Sequence, residues 1–234
     1  MHKIVKDSLD KKLNYLVVGD IMVDKYILGD VNRISPEAPV PVINVKKHKS
    51  NPGGAGNVAV NIAGLNSEVS IIGFTGDDKD FKDLRSDFSS KNIKIDPIIW
   101  DKNTITKTRV ISGQQQIVRI DHEDSIKPTN NELQKIIEHV NKINMSSFSG
   151  IVISDYAKGV CSSELCQRII NNANKKNIPV IVDPKGSAWE KYRGATILTP
   201  NLKELSDVYG GPVLNSDDEI ERVGLKLLQE YGLS

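Results

Sequence analysis

The strongest constraint on this fold is a repeated alternation. Short runs of Val, Ile and Leu end in Gly, Asp or Pro and give way to stretches of helical period. Strands are expected at Tyr15–Val18, Val69–Phe74, Ile151–Ser154, Val180–Asp183 and Thr196–Leu198. The segments between and after them read as helices at Ala55–Leu65, Lys79–Lys91, Asn131–Ile143, Ser163–Lys176, Asn201–Tyr209 and Asp217–Tyr231. Strands that are apolar on both faces and joined through helices require a parallel sheet covered on each side. The fold class is therefore α/β, mostly parallel, with helices on both faces.

Two stretches break this rhythm. Residues Lys25 to Lys49 alternate and carry Pro36, Pro39 and Pro41, which excludes a helix and suggests edge strands of a separate small sheet. From Ile98 to Asp121, β-branched residues on either side of Gly113 read as a hairpin. Together these segments are expected to form a β lid over the main sheet, and such an appendage commonly covers a ligand.

Charge excludes several partners. Lys and Arg total 31 against 30 Asp and Glu, a net charge of +1, so there is no global field to hold nucleic acid or an anionic membrane. No apolar run approaches the ~20 residues of a membrane span. The N-terminal stretch with Lys3, Lys6, Asp7, Asp10, Lys11 and Lys12 contains no secretory apolar region, so a cytoplasmic location is expected. Cys161 and Cys166 suit neither a zinc knuckle nor a CxxC pair and read as buried thiols. His2, His48, His122 and His139 share no ligand spacing, and Trp100 and Trp189 read as packing residues.

The candidate chemistry lies where strands end, because ligands of open parallel sheets sit beyond the carboxyl ends of the strands. The first strand ends in Gly19-Asp20-Ile21-Met22-Val23-Asp24, whose carboxylates are candidate acceptors for sugar hydroxyls; between them the ligand role falls to Asp24, while Asp20 reads as ordinary turn chemistry. Asn51-Pro-Gly-Gly-Ala-Gly-Asn57 opens a helix and offers exposed amides to a hydroxyl or anionic oxygen, or else is a tight packing loop. It is neither a Walker loop nor a Rossmann fingerprint. Ser154 to Gly159, Asp183 to Gly186 and Thr199 to Glu204 are expected on the same sheet edge. Asn201 and Glu204 share a helical face and read either as a capping box or as holders of a hydrated Mg²⁺ beside nucleotide phosphates. Lys185 reads as a phosphate contact or a solvated turn lysine. By charge, Lys107 and Arg109 of the second lid segment are nominated for a substrate phosphate.

The run Gly53-Gly54-Ala55-Gly56-Asn57-Val58-Ala59, followed by Gly76, resembles the first signature of the ribokinase-like (PfkB) carbohydrate kinases, with Asn66 where that signature has Gly or Ser. Within the family, Gly19 to Asp24, Arg33-Ile-Ser-Pro-Glu-Ala-Pro-Val-Pro41-Val42, Ser154 to Gly159, Asp183 to Gly186 and Leu198 to Leu202 are similar to the heptose 7-phosphate kinases. The likeness runs from about Tyr15 to the end of the chain. It implies a ribokinase-like fold and transfer of the ATP γ-phosphate to O1 of D-glycero-D-manno-heptose 7-phosphate, in ADP-heptose synthesis for lipopolysaccharide. It assigns Asp24, Gly53, Gly54 and Asn57 to the sugar, with Asp20 beside them, and Lys185, Asn201, Leu202, Lys203 and Glu204 to ATP and Mg²⁺, Glu204 being nearest the metal. It also suggests a homodimer contact through the lid.

One departure matters. The family's catalytic aspartate lies in a later Gly-Ala-Gly-Asp segment, which these 234 residues do not contain, and Gly76-Asp77 belongs to the earlier signature. The periodicity stops on a helix near Tyr231. The expectation is a partial kinase domain over residues 1–234, incomplete at the C-terminus and inactive by itself. The alternatives are a non-catalytic sugar-phosphate-binding protein and a PfkB kinase for a different sugar.

Overall fold

The computed structural model describes residues 12–123 and 127–233. The expectation for the N-terminal stretch before Lys12, and His2 with it, lies outside the described residues. Strands β1 (Asn14–Gly19), β4 (Glu68–Ile72), β6 (Ile93–Ile95), β10 (Gly150–Ser154), β11 (Val180–Asp183) and β12 (Ile197–Leu198) form one sheet in the order β12-β11-β10-β1-β4-β6. Every pairing in it is parallel.

Side-chain alternation sends each strand's apolar residues to both faces. On one face Leu16, Val18, Ile151, Ile153, Val180 and Val182 share a core with α3 (Asn130–Asn141), α4 (Ser163–Asn174) and α6 (Asp217–Tyr231). On the other, Val17, Ile71 and Val152 pack with α1 (Ala55–Gly64) and α2 (Lys79–Ser90) through Ala55, Ala59, Leu84 and Phe88. The helices start where the sequence offers a cap. Asp78 accepts from Phe81 N–H, Ser162 caps α4, and Thr129 with Glu132 closes a capping box on α3. Asn66, just beyond α1, takes the left-handed conformation at φ 61°, which asparagine tolerates.

The lid is a separate sheet of order β3-β2-β8-β9, built from β2 (Ile21–Ile34), β3 (Pro41–Gly54), β8 (Ile105–Ser112) and β9 (Gln115–His122). Two antiparallel hairpins meet along a parallel β2–β8 seam. Pro36 and Pro39 lie in the loop between β2 and β3, while Pro41 and Pro52 fall on edge strand β3, where a missing N–H is tolerated.

Several expected boundaries need correction. The first hairpin reaches from Ile21 to Gly54, beyond the expected 25–49, because it springs directly from β1 and runs directly into α1. The second begins at Ile105. Ile98–Ile99 (β7) instead pairs in parallel with Phe74–Thr75 (β5) in a two-stranded piece of its own. The expected strand through Phe74 breaks at Gly73, where a Cβ would stand 2.3 Å from the Gly19 carbonyl oxygen. Strand β6 was not expected: at three residues it is too short to show alternation.

Phe88 is fully buried and its ring lies 3.2 Å from the position a Cβ on Gly56 would take, so α1 and α2 meet on it. Phe88→Ala is expected to cost about 3–5 kcal/mol, measured as a lowered midpoint in urea unfolding.

Candidate functional site

Four loops leave the carboxyl edge of the main sheet after β1, β10, β11 and β12, as parallel strands in adjacent positions must arrange. The β1 loop is Asp20. Its carboxylate accepts the backbone N–H of Tyr156 at 2.7 Å, of Lys158 at 3.1 Å and of Val160 at 3.1 Å. Its own carbonyl receives Ala55 N–H, the first amide of α1. Burial pushes the Asp20 carboxyl above the usual carboxylate range, against the lowering pull of those amides. Asp20 is 1% exposed with both oxygens engaged, which fits the turn-forming reading: it folds the loop after β10.

Of the expected sugar residues, Asp24 and Gly53 meet directly. Asp24 on β2 lies against Gly53 on β3, where a Cβ would stand 2.5 Å from Asp24 Oδ2. Gly54, at φ 53°, starts α1, and a Cβ there would stand 2.3 Å from the Asp20 carbonyl oxygen. Both glycines are thus needed for close approach. Asn57 is exposed on the first turn of α1. Across the lid seam Arg109 pairs with Asp24, and its guanidinium sits 5.6 Å from the centre of the Tyr26 ring. Lys107 is in register with Asp24, on the same lid face, and reaches Asp121 at 3.6 Å and Glu123 at 3.5 Å.

Glu123, which sequence reasoning missed, also receives Lys158 at 2.7 Å, tying the lid to the loop after β10. The Lys158 ammonium outweighs burial and holds the Glu123 carboxyl below its ordinary value. No local signal marks this cluster, since its members meet only through the lid register.

Of the expected nucleotide residues, Lys185, Asn201 and Glu204 gather around a hollow of about 190 Å³, which Asp155, Tyr156 and Asp183 also line. Here α5 (Leu202–Tyr209) begins with the capping box: Asn201 Oδ1 accepts Glu204 N–H at 2.9 Å and Glu204 Oε2 accepts Asn201 N–H at 3.0 Å. The remaining Glu204 oxygen accepts Lys185 Nζ at 2.9 Å. Glu204 therefore caps the helix and still presents a buried charge to the hollow. Leu202 and Lys203 do not join it: Leu202 is exposed, and Lys203 pairs outward with Asp207.

Burial and then repulsion from Glu204 push the Asp183 carboxyl up. Two carboxylates in tension beside one lysine suit a divalent cation. Among the described residues no group of three or more His, Cys, Asp or Glu is placed to cage a metal. Such a cation would keep waters and phosphate oxygens as its other ligands, as Mg²⁺ commonly does. Tyr156 lines the same hollow: burial first, then the charges of Asp183 and Asp24, raise its phenol.

The hairpin that carries Lys107 and Arg109 is anchored by Asp78. Beyond capping α2, Asp78 accepts Thr104 N–H at 2.6 Å and Thr104 Oγ1–H at 3.0 Å, one residue before β8. Gly76 N–H donates to the same Thr104 hydroxyl at 3.1 Å.

A mostly parallel α/β sheet roofed by a β lid, with an aspartate pressed on the glycine that precedes the first helix start, is the ribokinase-like architecture. The fold is shared with E. coli phosphofructokinase-2 in complex with fructose-6-phosphate, at a TM-score of 0.73 and 21% identity over 95% of this chain and 72% of that one. It is shared too with Arabidopsis thaliana ribokinase complexed with ribose and ATP, at a TM-score of 0.67 and 16% identity over 95% and 70%. The sequence profile of the pfkB family carbohydrate kinases matches residues 12–232, and the chain belongs to that family. Curated relatives include the bifunctional protein HldE of Vibrio parahaemolyticus, 44% identical over 217 residues, and that of E. coli O1:K1, 42% identical over 225. These alignments cover 92% and 96% of this chain but 44% and 46% of the relatives, so the chain spans less than half their length.

The Asp78 anchor yields a test. Burial raises its carboxyl, but the Phe81 and Thr104 amides and the Thr104 hydroxyl outweigh it, so the folded value lies below the ordinary one. Its stabilisation is complete above the unfolded value and fades as pH falls through the folded one. Asp78→Asn is expected to lose about 1–3 kcal/mol at pH 7. It should also show a shallower fall in stability between about pH 5 and 2, read from denaturant midpoints across that range.

Proposed function

We propose that these residues form the sugar-phosphate and nucleotide cradle of an ATP-dependent heptose 7-phosphate kinase of ADP-heptose synthesis. The reading rests on 42–44% identity to the two bifunctional HldE relatives. The observation that carries it is the pairing of Asp24 with Arg109 over Gly53, with Lys107 alongside.

In this reading Asp24 and Asn57 hold the sugar hydroxyls, and the Gly53-Gly54 backbone lets the ring approach. Lys107 and Arg109 neutralise the phosphate already on the substrate. A phosphate dianion is a stronger partner for such cations than the lid's own carboxylates. Lys185 and Asn201 serve the nucleotide. Mg²⁺, held at Glu204 with Asp183 nearby, supplies charge neutralisation for the phosphates. Phosphoryl transfer asks the protein mainly for placement and charge, and those tasks fall to these loops.

Removing the proton from the attacking hydroxyl needs a free carboxylate. Residues 1–234 contain no Gly-Ala-Gly-Asp, Asp20 is spent on amides, and Asp24 is paired. We therefore assign binding to these residues and expect them alone to turn over slowly, since a missing general base costs about 10²- to 10⁴-fold in rate. Among the described residues no helix is long and apolar enough to cross a membrane, and we propose a cytoplasmic site of action. Ile34, Val40, Val45, Val118 and Ile120 are exposed along the lid, which supports self-association through it.

By calorimetry the chain is expected to bind heptose 7-phosphate more tightly than unphosphorylated heptose. Lys107→Met should narrow that gap by about tenfold, and Asp24→Asn should weaken both sugars. Equal affinity for the two sugars would sink the assignment of the lid cations. With ATP, Mg²⁺ and heptose 7-phosphate, product formed at ordinary enzyme rates, about 1–10³ s⁻¹, would sink the expectation of slow turnover.

A further inference from the structure

Behind the nucleotide hollow lies a buried group that neither the sequence motifs nor the sugar site accounts for. The single-turn 3₁₀ segment Trp189–Tyr192 sits below the loops that follow β10 and β11. Tyr192 is fully buried. Its hydroxyl donates to Asp155 Oδ2 at 2.6 Å and accepts the backbone N–H of Lys185 at 3.3 Å. From the same turn Trp189 Nε1–H donates to the Gly186 carbonyl at 3.1 Å. Lys191 between them pairs with Asp155, whose other oxygen accepts Ala157 N–H at 2.7 Å. One short turn therefore tethers the Lys185-Gly186 loop at two points, the Lys185 N–H and the Gly186 carbonyl, and braces the Asp155 loop beside it.

We propose that Tyr192 is a positioning residue for the nucleotide side of the site, its hydroxyl fixing the Lys185 loop against the Asp155 loop so that the Lys185 ammonium faces an incoming polyphosphate. The proposal rests on the nucleotide reading of the Lys185 and Glu204 hollow given above.

The chemistry is directional. An Asp155 carboxylate only accepts and the Lys185 N–H only donates, so a group between them must do both, and a phenol hydroxyl does. Asp155 would otherwise present an uncompensated buried charge to a hollow already lined by Asp183 and Glu204. Lys191 neutralises it and Tyr192 hydrogen-bonds it from behind, leaving Lys185 as the cation on the open side. The Tyr192 ring fills the same space in a phenylalanine, so the hydroxyl can be tested apart from the packing.

The test is ATP binding by the 234-residue chain and its variants, with sugar-phosphate affinity measured alongside. Tyr192→Phe is expected to raise the ATP dissociation constant about five- to thirtyfold, the scale of one or two lost hydrogen bonds. Heptose 7-phosphate affinity should move by less than about twofold, because the bonds Tyr192 makes go to Lys185 and Asp155 and not to the lid. In a Lys185→Ala background the same change should have almost no further effect, and faster amide exchange at Lys185 should accompany it in the single variant. Trp189→Phe, which cuts the second tether, should weaken ATP in the same sense and carries the test should Tyr192→Phe fold poorly.

An undiminished ATP affinity in Tyr192→Phe would overturn the positioning role while leaving the nucleotide reading intact. A loss of equal size with and without Lys185 would overturn it too, since the hydroxyl would then act through the general fold. No ATP binding by the unaltered chain would instead remove the nucleotide reading, and this proposal with it.

Discussion

The buried Asp20 carboxylate is the joint on which both halves of the site depend. It sits at the end of the central strand β1 and holds the amides of Tyr156, Lys158 and Val160, while its carbonyl receives the first amide of α1. Three elements distant in sequence are thereby fixed to one residue: the glycine start of α1, the loop after β10 and the root of the lid. Such a charge survives away from water only because those amides satisfy it. Asp24, four residues on, takes no part in this joint and pairs with Arg109 instead.

Much of the fold is legible in the chain because its strands are buried on both faces. The expected limits of β1, β10 and β11 fall within a residue of the observed ones, since continuous runs of Val and Ile bounded by Gly or Asp leave little choice. The Asn201 and Glu204 capping box is legible for the same local reason, and Asn66 takes the left-handed turn its chemistry allows. The lid is harder. Its outer strand passes through Lys46, Lys47, His48 and Lys49, where the alternation read over 25–49 gives way to a polar edge, and its true ends depend on pairing with β2. Strands as short as β6 and β7 carry no period at all.

The site was legible in its parts and not in its connections. Asp24, Gly53 and Lys185 each stand at a strand or hairpin position that sequence can mark. That Asp24 meets Arg109, that Glu123 bridges Lys107 and Lys158, and that Tyr192 reaches Lys185 are consequences of register and crossover between segments far apart in the chain. Ion pairs and buried hydroxyl bridges of this kind leave no spacing to detect. The lid illustrates the outcome: its cations are already matched by Asp24, Asp121 and Glu123, so a ligand must compete with carboxylates built into the same surface.

The parallel seam between β2 and β8 has a further consequence for how the molecule assembles. Met22 lies beside Ile105, so the seam closes a loop that contains α1, α2 and the strands between them. Each hairpin can form early from its own turn, but their union must wait until the intervening βα units have collapsed, because so distant a pairing is entropically slow. The roof is thus completed after the walls, and a nascent chain would carry two separate ribbons before it carries a lid.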